Sequence, residues 1–142
     1  MVRIDYRHIA KEPWALLSGL VTYSKSCAVP YGLIELVKLR VSQINGCGHC
    51  IAHHSRVLRE EIGEAEERLE NLAEWRSAKC FTDRERAAFA WAETVTEIAN
   101  FGVSDSEYET ARASFDEAEL TDLTFAIVTI NSHNRLALAL GG

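Results

Sequence analysis

Three side chains in this sequence have types and spacing suited to thiol chemistry: Cys47, Cys50 and His54. At about 100° per residue on a helix starting at Cys47, Cys50 lies about 60° away, and His54 sits between the two sulfurs. His53 falls on the far side of Cys50 and His49 points away, so His54 is the histidine best placed to meet a sulfur. A free thiol ionises near pH 8.5, and only the thiolate is a strong nucleophile. Two devices can lower that value here. The first turn of a helix offers unpaired N–H groups and the positive end of the dipole, which favours charge on Cys47. An imidazole one turn downstream can instead take the Cys50 proton and hold it in an ion pair. These two arguments choose different sulfurs. The base is given more weight because it can also return the proton to a leaving group, and that favours Cys50 as the attacking thiol.

A carboxylate would complete the set by orienting the imidazole and stabilising its protonated form. Glu35 is the candidate, on the preceding helix and on one stripe with Leu39 and Ser42. Flanked by Ile34 and Leu36, it is an acid that needs a reason for burial. Taken alone, Glu35 reads as a salt-bridge partner of Lys38 or Arg40, and Ser42 as a packing hydroxyl. His49 reads as solvent-facing, or as a second polar group at the mouth of the dithiol.

The elements that must position these groups are helices, since no stretch alternates with period two. Pro13 suits the first turn of a helix through Trp14, Leu17, Leu20 and Val21. Pro30 opens a second, apolar on most sides, which Asn45-Gly46 should stop. A third runs from near Cys47 to about Glu61, and Gly63 breaks the chain. Glu64 to Ala73 reads as a short acidic helix with a solvated outer face. Thr82 with Glu85 forms a capping box for a helix reaching about Ala99, and Ser104 with Glu107 caps another. The last helix begins near Glu117 and is apolar nearly all round, which marks a core helix or a subunit interface. The expected architecture is a single all-α bundle of six to eight helices spanning residues 1–142. Trp14, Trp75 and Trp91 are expected in its core, Cys27 and Cys80 as packing residues. His133, Asn134 and Arg135 are expected as polar interface contacts, with pocket lining as the second reading.

Composition narrows the function further. The 142 residues suffice for one domain, and 47% hydrophobic with 25% charged residues is an ordinary globular balance. Fifteen Lys and Arg against 21 Asp and Glu give a net charge of −6, which argues against nucleic acid, because such binding depends on neutralising phosphates. The first eight residues hold no apolar run, so no secretory signal is expected, and no segment is long and apolar enough to span a bilayer. The expected location is the reducing cytoplasm, where a CxxC pair is redox-active or metal-binding rather than a structural bridge.

The same passage resembles a known family. Glu35, the run Leu39-Arg40-Val41-Ser42-Gln43-Ile44-Asn45-Gly46-Cys47-Gly48-His49-Cys50, and His54 form its centre. Flanking blocks lie at residues 69–76, 81–88 and 130–136. The chain is similar to the AhpD-like alkylhydroperoxidase branch of the carboxymuconolactone decarboxylase family. That resemblance implies an all-helical trimer or hexamer in which Cys50 attacks a hydroperoxide and Cys47 resolves the sulfenic acid into a disulfide. Glu35 and His54 would relay protons, an external dithiol or thioredoxin-like protein would supply electrons, and no cofactor would be needed. Two positions depart from the family pattern: His133 stands where Trp is common, and His53 replaces a commonly apolar residue. Two alternatives use the same residues. One is a dithiol–disulfide reductase feeding a partner peroxidase. The other is a zinc-binding or structural helical oligomer, although zinc wants four tetrahedral ligands and these histidines turn in different directions. Lactone decarboxylation is disfavoured, because the CxxC pair belongs to the redox branch.

Overall fold

A computed structural model describes residues 2–141. Every regular element among them is helical: α1 (Tyr6–Ile9), α2 (Lys11–Ser24), α3 (Tyr31–Asn45), α4 (Gly48–Arg56), α5 (Glu66–Asn71), α6 (Asp83–Thr96), α7 (Ile98–Phe101), α8 (Asp105–Arg112) and α9 (Glu117–Leu140). The all-α single-domain expectation holds. The count exceeds six to eight because two four-residue turns, α1 and α7, stand as separate elements too short to show a periodic pattern. α4 runs on as a π-helical turn, Val57–Ile62, which Gly63 ends in the left-handed conformation.

α3 is the central element and packs against α4, α6 and α9. Its residues from Leu33 to Leu39, with Val41 and Ser42, are all buried, which is why its apolar positions surround the helix rather than form one stripe. Phe89 of α6 and Leu123 and Ile127 of α9 close the core around it, each essentially inaccessible to water. Capping boxes start α6 (Thr82–Glu85), α8 (Ser104–Glu107) and α9 (Asp116–Glu119). α9 satisfies both readings of its sequence. One side is core, while Phe125, Val128 and Leu138 are exposed on the other.

The junction between α3 and α4 decides where the cysteines point. Gly46 takes φ 70°, a conformation that only glycine adopts without strain, and reverses the chain within one residue. Cys47 becomes the N-cap of α4, its N–H bonded to the Ser42 carbonyl at 3.0 Å and its own carbonyl accepting from Ile51 at 2.9 Å. Polar side chains of α9 then lock this turn. Asn134, fully buried, donates to the Ser42 hydroxyl at 3.1 Å, and Asn45 donates to the amide oxygens of Asn134 and Asn131, both at 3.0 Å. Asn134 therefore pins the turn within the chain rather than meeting a second subunit, and Ser42 is the packing hydroxyl its position suggested.

Leu123 sits where α9 meets the core, so its truncation opens a cavity. Leu123→Ala is expected to lower stability by about 2–5 kcal/mol, read as an earlier urea midpoint with an unchanged m-value.

Candidate active site

Four chemical groups converge where α3 and α4 meet. Glu35 is 2% exposed in the middle of α3, where an unpartnered carboxylate would be prohibitive. It has two partners, one for each oxygen. Oε2 lies 2.7 Å from His54 Nδ1 on α4, and Oε1 accepts from Lys38 Nζ at 3.1 Å, one turn along its own helix. Lys38 is equally buried and donates also to the Ser24 hydroxyl of α2 at 3.0 Å, which in turn donates to the Val21 carbonyl at 2.7 Å. Burial alone would raise the Glu35 pKa. The hydrogen bond from His54 and the charge of Lys38 outweigh it, and the net effect holds Glu35 below the ordinary carboxylate range. Lys38 is thus the salt bridge read from the sequence, and it coexists with the histidine contact. Arg40 turns away to Glu93, with its Nη2 at 3.0 Å.

With Nδ1 engaged by the carboxylate, the His54 nitrogen left for proton exchange is Nε2. Cys50 and His54 border the same cavity, of about 420 Å³, lined by α1, α2, α4 and α9 with Lys38 of α3. Cys47 and Cys50 are joined as a disulfide with Cα atoms 5.3 Å apart. Cys47 is 1% exposed and does not reach the cavity, whereas Cys50 forms part of its wall. The two sulfurs are therefore inequivalent, a difference that helical angles alone do not reveal.

Of the remaining histidines, His53 meets His54 edge-on with centroids 4.9 Å apart, and burial and then the neighbouring His54 lower its pKa. His49 is exposed but reaches the cavity rim. His133 lines the cavity from α9, the second of its two sequence readings. Its ring packs edge-on against Trp14 at 5.2 Å. Trp14 itself corrects the expectation of a core tryptophan, being half-buried on the cavity wall, while Trp75 and Trp91 are core. Arg135 is exposed and bonds back to Asn131 at 2.6 Å. Cys27 and Cys80 are half-buried against the core, as expected. No group of three His, Cys, Asp or Glu side chains able to hold a metal ion occurs among the described residues. No helix there is long and apolar enough to cross a membrane.

Sequence reasoning missed the far wall. Tyr6 and Arg7 come from a four-residue helix that no periodicity announces, and the backbone ties that hold it, from Arg3 and Ile4 N–H to the Leu140 carbonyl, link opposite ends of the chain.

A buried carboxylate one turn before a lysine, bonded to a histidine beside a CxxC turn, defines a helical thiol-site scaffold. The chain belongs to the carboxymuconolactone decarboxylase family, whose model matches residues 11–94, and is an AhpD-like member of it. The uncharacterized protein YdfG of Bacillus subtilis (strain 168) is 35% identical over 139 residues, covering 98% of this chain and 94% of YdfG. A crystal structure from Agrobacterium tumefaciens, of a protein of unknown function provisionally assigned to AhpD antioxidant defence, superposes with a TM-score of 0.92. It shares 34% identity over 99% of this chain and 95% of that one. An uncharacterized peroxidase-related protein from Silicibacter sp. TM1040 shares the fold at a TM-score of 0.80 and 21% identity, covering 92% of this chain and 69% of its own.

His133 is held neutral by burial and by the nearby charge of Lys38, its pKa lowered from 6.5 to about 4. An unfolded chain therefore binds more protons than the folded one between these values. The stability from a neutral His133 is complete above pH 6.5 and is lost as pH falls to about 4. His133→Phe is expected to flatten the decline of the urea midpoint across that window. Glu35 acts in the same direction at more acid pH, since its folded pKa is also depressed.

Proposed function

We propose that this protein is a thiol-dependent peroxidase that reduces hydroperoxides through a Cys47–Cys50 dithiol/disulfide cycle, with Glu35 and His54 as its proton relay. The observation that carries the reading is the 2.7 Å contact between Glu35 and His54 beside the cavity that Cys50 borders.

In the reduced protein, His54 Nε2 takes the Cys50 proton and the imidazolium is stabilised by Glu35. The Cys50 thiolate attacks the terminal oxygen of the hydroperoxide. An S–O bond forms, the O–O bond breaks, and His54 protonates the departing alkoxide to alcohol. Cys50 is then a sulfenic acid. The Cys47 thiol attacks the Cys50 sulfur, the S–O bond breaks, and hydroxide leaves as water with the proton from Cys47. The sum is two thiols and one hydroperoxide giving a disulfide, an alcohol and water. An external dithiol or thioredoxin-like protein reopens the bridge.

The placement of the sulfurs favours this order. Cys50 meets the cavity and so meets substrate, and Cys47 lies behind it, suited to resolving the oxidised sulfur. Lys38 has a supporting part in this scheme. Its charge keeps Glu35 ionised whether or not His54 carries a proton. The reading includes assembly into a homo-oligomer, trimer or hexamer, for which the exposed Phe125, Val128 and Leu138 of α9 supply an apolar face.

The test is a thiol count on reduced protein before and after one equivalent of cumene hydroperoxide. Two thiols are expected to disappear, mapped to Cys47 and Cys50, within the time of peroxide consumption. Cys50→Ser is expected to abolish turnover, and full activity in that variant would overturn the scheme. Glu35→Gln is expected to reduce turnover by about 10²–10⁴-fold, the usual worth of general acid–base assistance. If a disulfide donor oxidises the dithiol much faster than peroxide does, the protein is a reductase serving another peroxidase.

A further inference from the structure

The cavity is much larger than the relay requires. At about 420 Å³ it falls in the range that holds an organic ligand of drug-like size, whereas attack at Cys50 needs room only for a hydroperoxy group. Its lining is uneven in character. One wall is aromatic: Tyr6 and Trp14 meet edge-on at 5.7 Å, and Trp14 meets His133 at 5.2 Å. At the rim the Arg7 guanidinium lies 4.9 Å from the Trp14 ring and 5.6 Å from that of Tyr6. No carboxylate lines the cavity, and Arg7 makes no ion pair among the described residues. Lys38 in the same wall is already matched to Glu35. Arg7, exposed at the rim, is therefore the unmatched charge of the cavity, and the two rings hold its guanidinium where no anion meets it.

A second observation comes from His133. Its Nε2 is buried and has no hydrogen-bond partner. Buried polar atoms in folded proteins are nearly always paired, so this orphan makes the His133 ring, which lines the cavity, an unusually polar part of its wall. The ring is neutral near pH 7, and both Lys38 and Arg7 act on it with positive charge. That field favours an electron-rich ligand in the cavity.

We infer that the cavity binds an amphipathic organic acid, its apolar or aromatic body against the Tyr6, Trp14 and His133 rings and its carboxylate at Arg7. Its physiological form is then a hydroperoxide of such an acid, with the peroxy group directed to Cys50. That last clause rests on the peroxidase reading. The acid-binding end does not, because it uses no thiol chemistry. Cation–π contact with Trp14 fixes the guanidinium in place, and a charge-assisted hydrogen bond from Arg7 is stronger than a neutral one.

The test separates binding from turnover. Binding of para-isopropylbenzoate and of para-isopropylbenzamide, neither of which carries a peroxide, is measured by calorimetry on the oxidised protein. The benzoate is expected to bind about tenfold more tightly, a preference lost in Arg7→Gln. Equal binding of the two, no measurable binding of the benzoate, or a preference that survives in a folded Arg7→Gln would each overturn the inference. In turnover, kcat/KM for the para-carboxylate of cumene hydroperoxide should exceed that for cumene hydroperoxide by about the same factor. If the benzoate binds selectively but neither peroxide oxidises the thiols, the acid site stands and the peroxidase reading falls.

Discussion

The carboxylate of Glu35 is the constraint on which the rest of the structure depends. It lies in the middle of the most buried helix of the protein, 2% exposed, and an ionised group there persists only if its lost hydration is replaced. Three elements supply the replacement. α3 provides Lys38, α4 provides His54, and α2 steadies Lys38 through Ser24. Such a pair contributes little net stability compared with a well-packed apolar substitute, since burying both ions costs about as much as their attraction returns. Removing one partner alone is a different matter, because it leaves the other buried and unmatched. The cluster is therefore better understood as a device for holding the His54 ring at one angle than as a source of folding energy.

The same constraint explains why the α3–α4 junction is so heavily tied. Glu35 and His54 lie nineteen residues apart, and their 2.7 Å contact is met only if the chain reverses at Gly46 with the correct rotation of α4. Small errors in that rotation would swing His54 away by ångströms. Asn134 and Asn45 remove this freedom by bonding the end of α3 to α9 on both sides of Ser42. The site is thus held by backbone turn, ion pair and amide bridge together, so that its side chains are fixed by packing and hydrogen bonds from neighbouring elements.

Much of this was legible in the sequence because it is local. The CxxC–His grouping follows from helical angles, the turn from Asn45-Gly46, and the capping boxes from Thr82 and Ser104 with acids three residues on. The Glu35–Lys38 spacing of one helical turn also announced an ion pair, though it could not tell which of Lys38 and Arg40 would face inward. What the sequence withheld depends on contacts between distant segments. Nothing in Tyr6 or Arg7 signals a cavity wall, because their position is fixed by backbone bonds to Leu140. Trp14 reads as core by hydrophobicity and proves half-buried, since a large ring on the wall of a cavity is shielded on one side only. The inequivalence of Cys47 and Cys50 is likewise invisible to periodicity. It arises because Cys47, the N-cap of α4, is closed off from the cavity, while Cys50, in the first turn of α4, forms part of its wall.

The departure at His133 gains meaning in this setting. A tryptophan at that position would fill more space against Trp14 and offer a single N–H donor. A histidine leaves room and adds one nitrogen that nothing in the chain satisfies. Burial first, and then the positive charge of Lys38, hold its pKa at about 4, so the ring stays neutral rather than becoming a third cation. Glu35, paired with Lys38 and His54, stays out of the cavity and does not cancel the rim charge. Of the four groups at the helix junction, Glu35 and Cys47 lie behind the wall, while Cys50 and His54 form part of it.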